Sequence, residues 1–143
     1  MKPITYTVES TVPAPAERVF ELMTDPARMA SWLPAAKAVE LEGEGPLRKG
    51  SKLRVSYEAR ETEIEVIDFN PRKVFGWIER TGRAHWKTFF RLEFAGTSTQ
   101  LTVQQVWTPP SIFALLRVRI QPSRNVPARL NMIIQNLRME AAR

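Results

Sequence analysis

The sequence predicts an α+β fold, in which a curved antiparallel sheet of about seven strands wraps round a C-terminal helix. Three observations predict it. Apolar and polar residues alternate with period two along most of residues 53–107. Near the end, Leu130, Ile133, Ile134, Leu137 and Ala141 form an apolar stripe at three- and four-residue steps. Between the first strand and the rest, prolines bracket two short stretches of helical spacing.

The elements follow in order. Ile4, Tyr6, Val8 and Val12 alternate with Thr5, Thr7, Glu9 and Thr11, which reads as a half-buried strand ended by Pro13 and Pro15. Residues 14–23 carry Val19, Phe20, Leu22 and Met23 at helical spacing, with Glu17 in the first turn. Asp25-Pro26 opens a second short helix, aspartate as N-cap and proline at the first helical position, running to about Trp32 or Leu33. Val39 and Leu41 mark another strand, and Gly43, Gly45, Pro46 and Gly50 a long loop.

The middle of the chain predicts its own registers. A hairpin turning at Ala59-Arg60 pairs Val55 with Ile64 and Leu53 with Val66, with Arg54 opposite Glu65 outside. A turn at Asn70-Pro71-Arg72-Lys73 pairs Val66 with Trp77, Asp68 with Phe75 and Ile64 with Glu79. A turn at Thr81-Gly82 sets Trp77 opposite Trp86 and Phe75 opposite Thr88. The last turn, Ala95-Gly96-Thr97-Ser98, pairs Leu92 with Leu101, Phe90 with Val103, Thr88 with Gln105 and Trp86 with Trp107. These registers place Trp77, Trp86 and Trp107 in one row on the concave face. Thr108-Pro109-Pro110 stops the last strand. Ile112, Phe113, Leu115 and Leu116 suggest a short helix ended near Pro122, and the final helix follows Pro127. Its stripe needs an apolar partner, which the concave face supplies.

Composition bounds the chemistry. The 143 residues make one domain, residues 1–143, with 43% hydrophobic and 25% charged residues, the values of a globular chain. With no cysteine, disulfides and thiolate metal sites are excluded; with one histidine, His85, a histidine metal site or a Ser-His-Asp triad is a poor bet. No metal or cofactor is expected. No apolar run approaches a membrane span and no signal-peptide core opens the chain, so a cytoplasmic protein is expected. The net charge is +6, much of it late: Arg117, Arg119, Arg124, Arg129, Arg138 and Arg143 face only Glu140. That region reads either as a solvated helix face or as a transient contact for a membrane surface or an acidic ligand. No nucleic-acid motif accompanies it.

A resemblance adds to this reading. It rests on Val12-Pro13-Ala14-Pro15-Ala16-Glu17-Arg18-Val19-Phe20, Thr24-Asp25-Pro26, Trp32, Gly43-Glu44-Gly45-Pro46, Gly50-Ser51 and Ala95-Gly96-Thr97. The chain thereby resembles the START-like (SRPBCC) superfamily, in particular its polyketide cyclase/dehydrase-type bacterial branch, from about residue 4 to the end. The resemblance implies a helix-grip fold with a cavity between sheet and C-terminal helix for lipids, isoprenoids, polyketides or other hydrophobic molecules. Similar proteins often have a longer final helix; here Pro122 and Pro127 divide the segment.

The expected lining is Trp32, Tyr57, Ile64, Val66, Phe75, Trp77, Glu79, Trp86, Thr88, Phe90, Val103, Gln105 and Trp107, with Leu130 and Ile134 from the helix. The tryptophan row reads either as an aromatic wall for a flat or apolar ligand or as core packing. Thr62, Asp68, Glu79, Thr88 and Gln105 are the inward polar residues. Glu79 is the preferred acid/base candidate, against the alternative that it sits at the wet rim of the sheet. Thr88 and Gln105 satisfy one another or bond a ligand. His85 points outward. Trp32 lines the pocket mouth or pins the short helices to the sheet, and Arg129 or Asn131 meets an anionic group. Three functions stay open: carrier or sensor of a hydrophobic ligand; cyclase/dehydratase-type enzyme using Glu79; co-chaperone or interaction module. Binding is favoured over catalysis, because no acid/base pair converges.

Overall fold

A computed structural model describes residues 3–81, 84–109 and 125–143. Its described elements are β1 (Ile4–Val12), α1 (Ala16–Met23), α2 (Pro26–Trp32), β2 (Ala38–Glu42), β3 (Lys52–Ser56), β4 (Glu61–Asn70), β5 (Val74–Thr81), β6 (Ala84–Ala95), β7 (Ser98–Thr108) and α3 (Asn125–Ala141). The strands form one seven-stranded sheet in the order β1-β7-β6-β5-β4-β3-β2, with every pairing antiparallel. This is the helix-grip arrangement, α3 packed with α1 and α2 on the concave side. The expected helix at 112–116 and Pro122 lie outside the described residues.

Local chemistry sets the element boundaries. The first helix starts two residues later than the spacing suggests. Ala14 precedes a proline, which disfavours helical backbone there, and Pro15 stands as N-cap in extended conformation. Asp25 caps α2 as expected, its carboxylate accepting from the Ala27 N–H at 3.1 Å, with Pro26 at the first helical position. Pro127 lies in the first turn of α3, where a missing N–H costs no helical bond.

Three expected registers differ from the observed ones. Between β3 and β4, Leu53 faces Ile64, Val55 faces Thr62 and Arg54 faces Glu63, a shift of two residues. The turn is centred one residue earlier than 59–60: the Tyr57 N–H donates to the Arg60 carbonyl at 2.8 Å, so the tip falls at Glu58-Ala59. Between β5 and β6, Trp77 faces Thr88 and Glu79 faces Trp86, because Thr81 pairs with Ala84 and the turn therefore falls after Thr81. A two-residue shift keeps each side chain on its face, so the concave set survives while its pairs change. Between β4 and β5 the register itself breaks: Val66 faces Trp77 as expected, but Asp68 faces Gly76 and Phe69 faces Phe75. The irregularity between Val66 and Asp68 inserts one residue and reverses the alternation. Asp68 therefore leaves the concave set, and Phe69 joins the core beside Phe20 and Phe75. The β6–β7 register is the expected one throughout.

The core occupies the space between sheet and helices. Phe20, Phe69, Phe75, Phe90, Trp32 and Trp77 form a connected aromatic cluster with centroids 5.3 to 6.5 Å apart. Leu130, Ile133, Ile134, Leu137 and Ala141 of α3 are buried, as the stripe requires. Three side-chain bonds seat the helices. Asn136 Nδ2 donates to the Trp32 carbonyl at 3.1 Å, and Arg18 Nε donates to the Ala141 carbonyl at 3.1 Å. The buried Thr99 hydroxyl donates to the Ala14 carbonyl at 2.7 Å.

Candidate functional site

The concave face is filled unevenly. Toward α1 the aromatic cluster packs solid. Toward the β3–β4 turn and the first turns of α3, side chains leave a pocket of about 420 Å³, within the size range of small-molecule sites. The sheet contributes Val55, Tyr57, Ile64, Trp77, Glu79, Ala84, Trp86, Thr88 and Gln105; Arg60 enters from the turn, Leu33 from the end of α2, and Asn125, Val126, Arg129 and Ile133 from α3.

Of the expected lining residues, Tyr57, Ile64, Trp77, Glu79, Trp86, Thr88 and Gln105 meet at this pocket. The others lie outside its lining. Val66, Phe75, Phe90 and Val103 are completely enclosed in the core, as are Leu130 and Ile134 of α3. Trp32 is also fully buried, pinned between Trp77 and Phe90 rather than placed at a pocket mouth; its Nε1 finds no acceptor among the described residues. Trp107 lies behind Trp86, the two indoles stacked with centroids 5.6 Å apart. The three tryptophans share a face but make no single row, because Thr88 stands opposite Trp77. Trp77 belongs to the core cluster and reaches the pocket, whereas the half-buried Trp86 forms its wall directly.

Polar groups at the pocket are mostly paired. Gln105 Nε2 donates to Thr88 Oγ1 at 3.1 Å, the pairing expected across β6 and β7. Glu79 is neither unpaired nor at a wet rim. Its side chain is 16% exposed, and its Oε1 accepts from Thr62 Oγ1 at 3.0 Å and from Arg60 Nη1 at 3.2 Å. Arg60 also lies over the Tyr57 ring, 4.6 Å from the centroid, a cation–π contact that steers the guanidinium toward the pocket. Sequence reasoning missed Arg60 because it took the residue as half of a tight turn. Arg60 lies beside Tyr57 because the turn tip falls at Glu58-Ala59, one residue before the expected one. Leu33, Asn125, Val126 and Ile133 were also missed, since their place depends on helix packing, and so were Val55 and Ala84, strand residues on the same face as the expected ones. Arg129 does line the pocket, whereas Asn131 is exposed on the far side of α3. His85 lies in the outward set opposite Arg80, as expected. Arg117, Arg119 and Arg124 of the late basic region lie outside the described residues.

Among the described residues no cluster of histidine, aspartate or glutamate is arranged to hold a metal ion. None of their helices is long and apolar enough to cross a membrane.

With fold and pocket in place, the chain belongs to the family of polyketide cyclases/dehydrases and lipid-transport proteins, whose model matches residues 3–121. Solved structures share the fold at low identity. A protein of Chromobacterium violaceum superposes with a TM-score of 0.71 at 18% identity, covering 97% of each chain. The Zhui aromatase/cyclase of a Streptomyces species gives 0.69 at 19% identity, covering 99% of this chain and 96% of that one. Norcoclaurine synthase of Thalictrum flavum, solved as a point mutant with a transition-state analogue, gives 0.69 at 16% identity over 100% and 99%. No curated protein matches the chain.

Proposed function

We propose that this protein binds a hydrophobic small molecule, such as a lipid, an isoprenoid or a polyketide-like compound, in the pocket between sheet and C-terminal helix, as a carrier or sensor. One observation carries the reading. The interior is solid at one end and hollow at the other, and the hollow end is walled by two indoles and aliphatic side chains, with Arg60, Glu79, Thr88, Gln105, Asn125 and Arg129 set among them. Burying apolar ligand surface there gains roughly 25 cal/mol per Å² before the cost of immobilisation. Family membership supports the same class of ligand.

A cyclase/dehydratase-type reaction with Glu79 as acid/base is the second reading, supported by the likeness in fold to the Zhui aromatase/cyclase. Its weakness lies in the pairing of Glu79 with Arg60 and Thr62. A general base must reach a substrate proton, and this carboxylate already has two partners. An interaction module would present an exposed apolar patch, and no described feature favours that over the pocket.

Native mass spectrometry of protein purified from its host tests the proposal. The expected result is a co-purifying apolar adduct, lost when Ala84→Trp fills the pocket. An adduct-free protein that steadily turns over a cyclisable substrate, with activity lost in Glu79→Gln, would replace binding by catalysis.

A further inference from the structure

The pocket's charges make a narrower statement possible, which rests on reading the pocket as a ligand site. We propose that the ligand is an organic anion, a flat or apolar body carrying a carboxylate, and that Arg129 holds the carboxylate while Trp77 and Trp86 face the body.

Among the described residues the lining has three charged side chains: Arg60, Glu79 and Arg129. Glu79 is matched by Arg60 at 3.2 Å, so these two cancel. Arg129 is left. Among the described residues no carboxylate lies within 4.0 Å of it; what sets it apart from the other unpaired arginines is its place in the pocket lining. The sequence closes the remaining route to a counter-charge. All 15 acidic residues lie among the described ones, and residues 110–124 hold three arginines and no acid. A half-buried arginine without a carboxylate partner among the described residues, lining a pocket of about 420 Å³, offers donors to an anionic group.

The residue type narrows the chemistry further. A guanidinium presents a planar fork of donors that matches a carboxylate bidentately. Low-dielectric walls concentrate the field of an uncompensated charge. Opposite charge on the ligand is excluded by the same count: a cation would meet two guanidiniums and one carboxylate already engaged twice on Oε1. The aromatic wall sets the other half of the ligand, since indole faces accept flat apolar bodies.

Isothermal titration with three probes of one shape tests this: naphthoate, naphthylmethanol and naphthylmethylamine. A charge-assisted contact predicts naphthoate to bind about tenfold or more tighter than the alcohol, with the amine weakest. In Arg129→Gln the preference for naphthoate over the alcohol disappears, while the alcohol still binds, which reports an intact pocket. Arg54→Gln, which removes a distant surface charge, keeps the preference. The proposal is overturned if the alcohol or amine binds wild type as tightly as naphthoate. It is equally overturned if the preference survives Arg129→Gln, or falls as much in Arg54→Gln. Binding of none of the three would sink the ligand pocket itself, a different result from binding without charge preference.

Discussion

Gly76 shows how one residue holds a strand in place. A Cβ built there would meet Phe89 Cδ1 at 2.6 Å and the Thr88 carbonyl at 3.1 Å. The Phe89 ring lies over the glycine from the neighbouring strand, across the pair Gly76–Phe89 on the convex face. Gly76→Ala is therefore expected to cost about 1–3 kcal/mol by overpacking, measured by urea unfolding; adding Phe89→Ala should recover part of that loss. Asp68 shows where residue-level reading fails. Alternation from Thr62 places it inward, yet the single inserted residue after Val66 turns it away and brings Phe69 in. No composition cue marks that bulge, because Ile67 and Phe69 fit either face equally well. Glu79 is the intermediate case. Its inward direction was legible from alternation, but its pairing with Arg60 and Thr62 depends on the turn geometry.

At the scale of elements, most of the fold was legible because period-two and helical patterns are strong signals here. The β6–β7 ladder was readable pair by pair: Ala95-Gly96-Thr97-Ser98 fixes a short connection, with Gly96 at positive φ. The β3–β4 and β5–β6 ladders slipped by two residues because alternation fixes the face and only the position of the turn fixes the partner. That slip decided the tryptophan geometry, pairing Trp77 with Thr88. The final helix was legible as a stripe but not in the details of its lining. Leu137 is fully buried, while Met139 on the same helix is 63% exposed. Leu137→Ala should thus cost about 2–5 kcal/mol, and Met139→Ala should stay within about 0.5 kcal/mol, both read from thermal or urea unfolding. The link between β7 and the entry to α1 predicts a smaller effect. Thr99→Val removes the only hydroxyl shown donating to the Ala14 carbonyl among the described residues, at a cost of about 1–3 kcal/mol.

For the whole molecule, the division of labour along the sheet matters most. One end is an aromatic core in which α1, α2 and α3 are locked by Arg18, Asn136 and Trp32. The other is a pocket lined by a guanidinium–carboxylate pair and backed by indoles. A solid end keeps the hollow end open, since the strands that line the pocket are the same ones that clamp the core. A ligand in the hollow end adds to the stability of the folded state by mass action, about 2.7 kcal/mol at a hundredfold excess over Kd, and Ala84→Trp should abolish that gain without unfolding the core. The most direct measurement is a nitrogen–proton NMR spectrum recorded as naphthylmethanol is added, with indole signals assigned through single Trp→Phe variants. The largest shifts are expected at Trp77, Trp86, Arg129 and Ile133, and should vanish in Ala84→Trp. Shifts centred on Ile78 and Phe89 of the convex face, or an unchanged spectrum, would contradict a ligand held between sheet and helix.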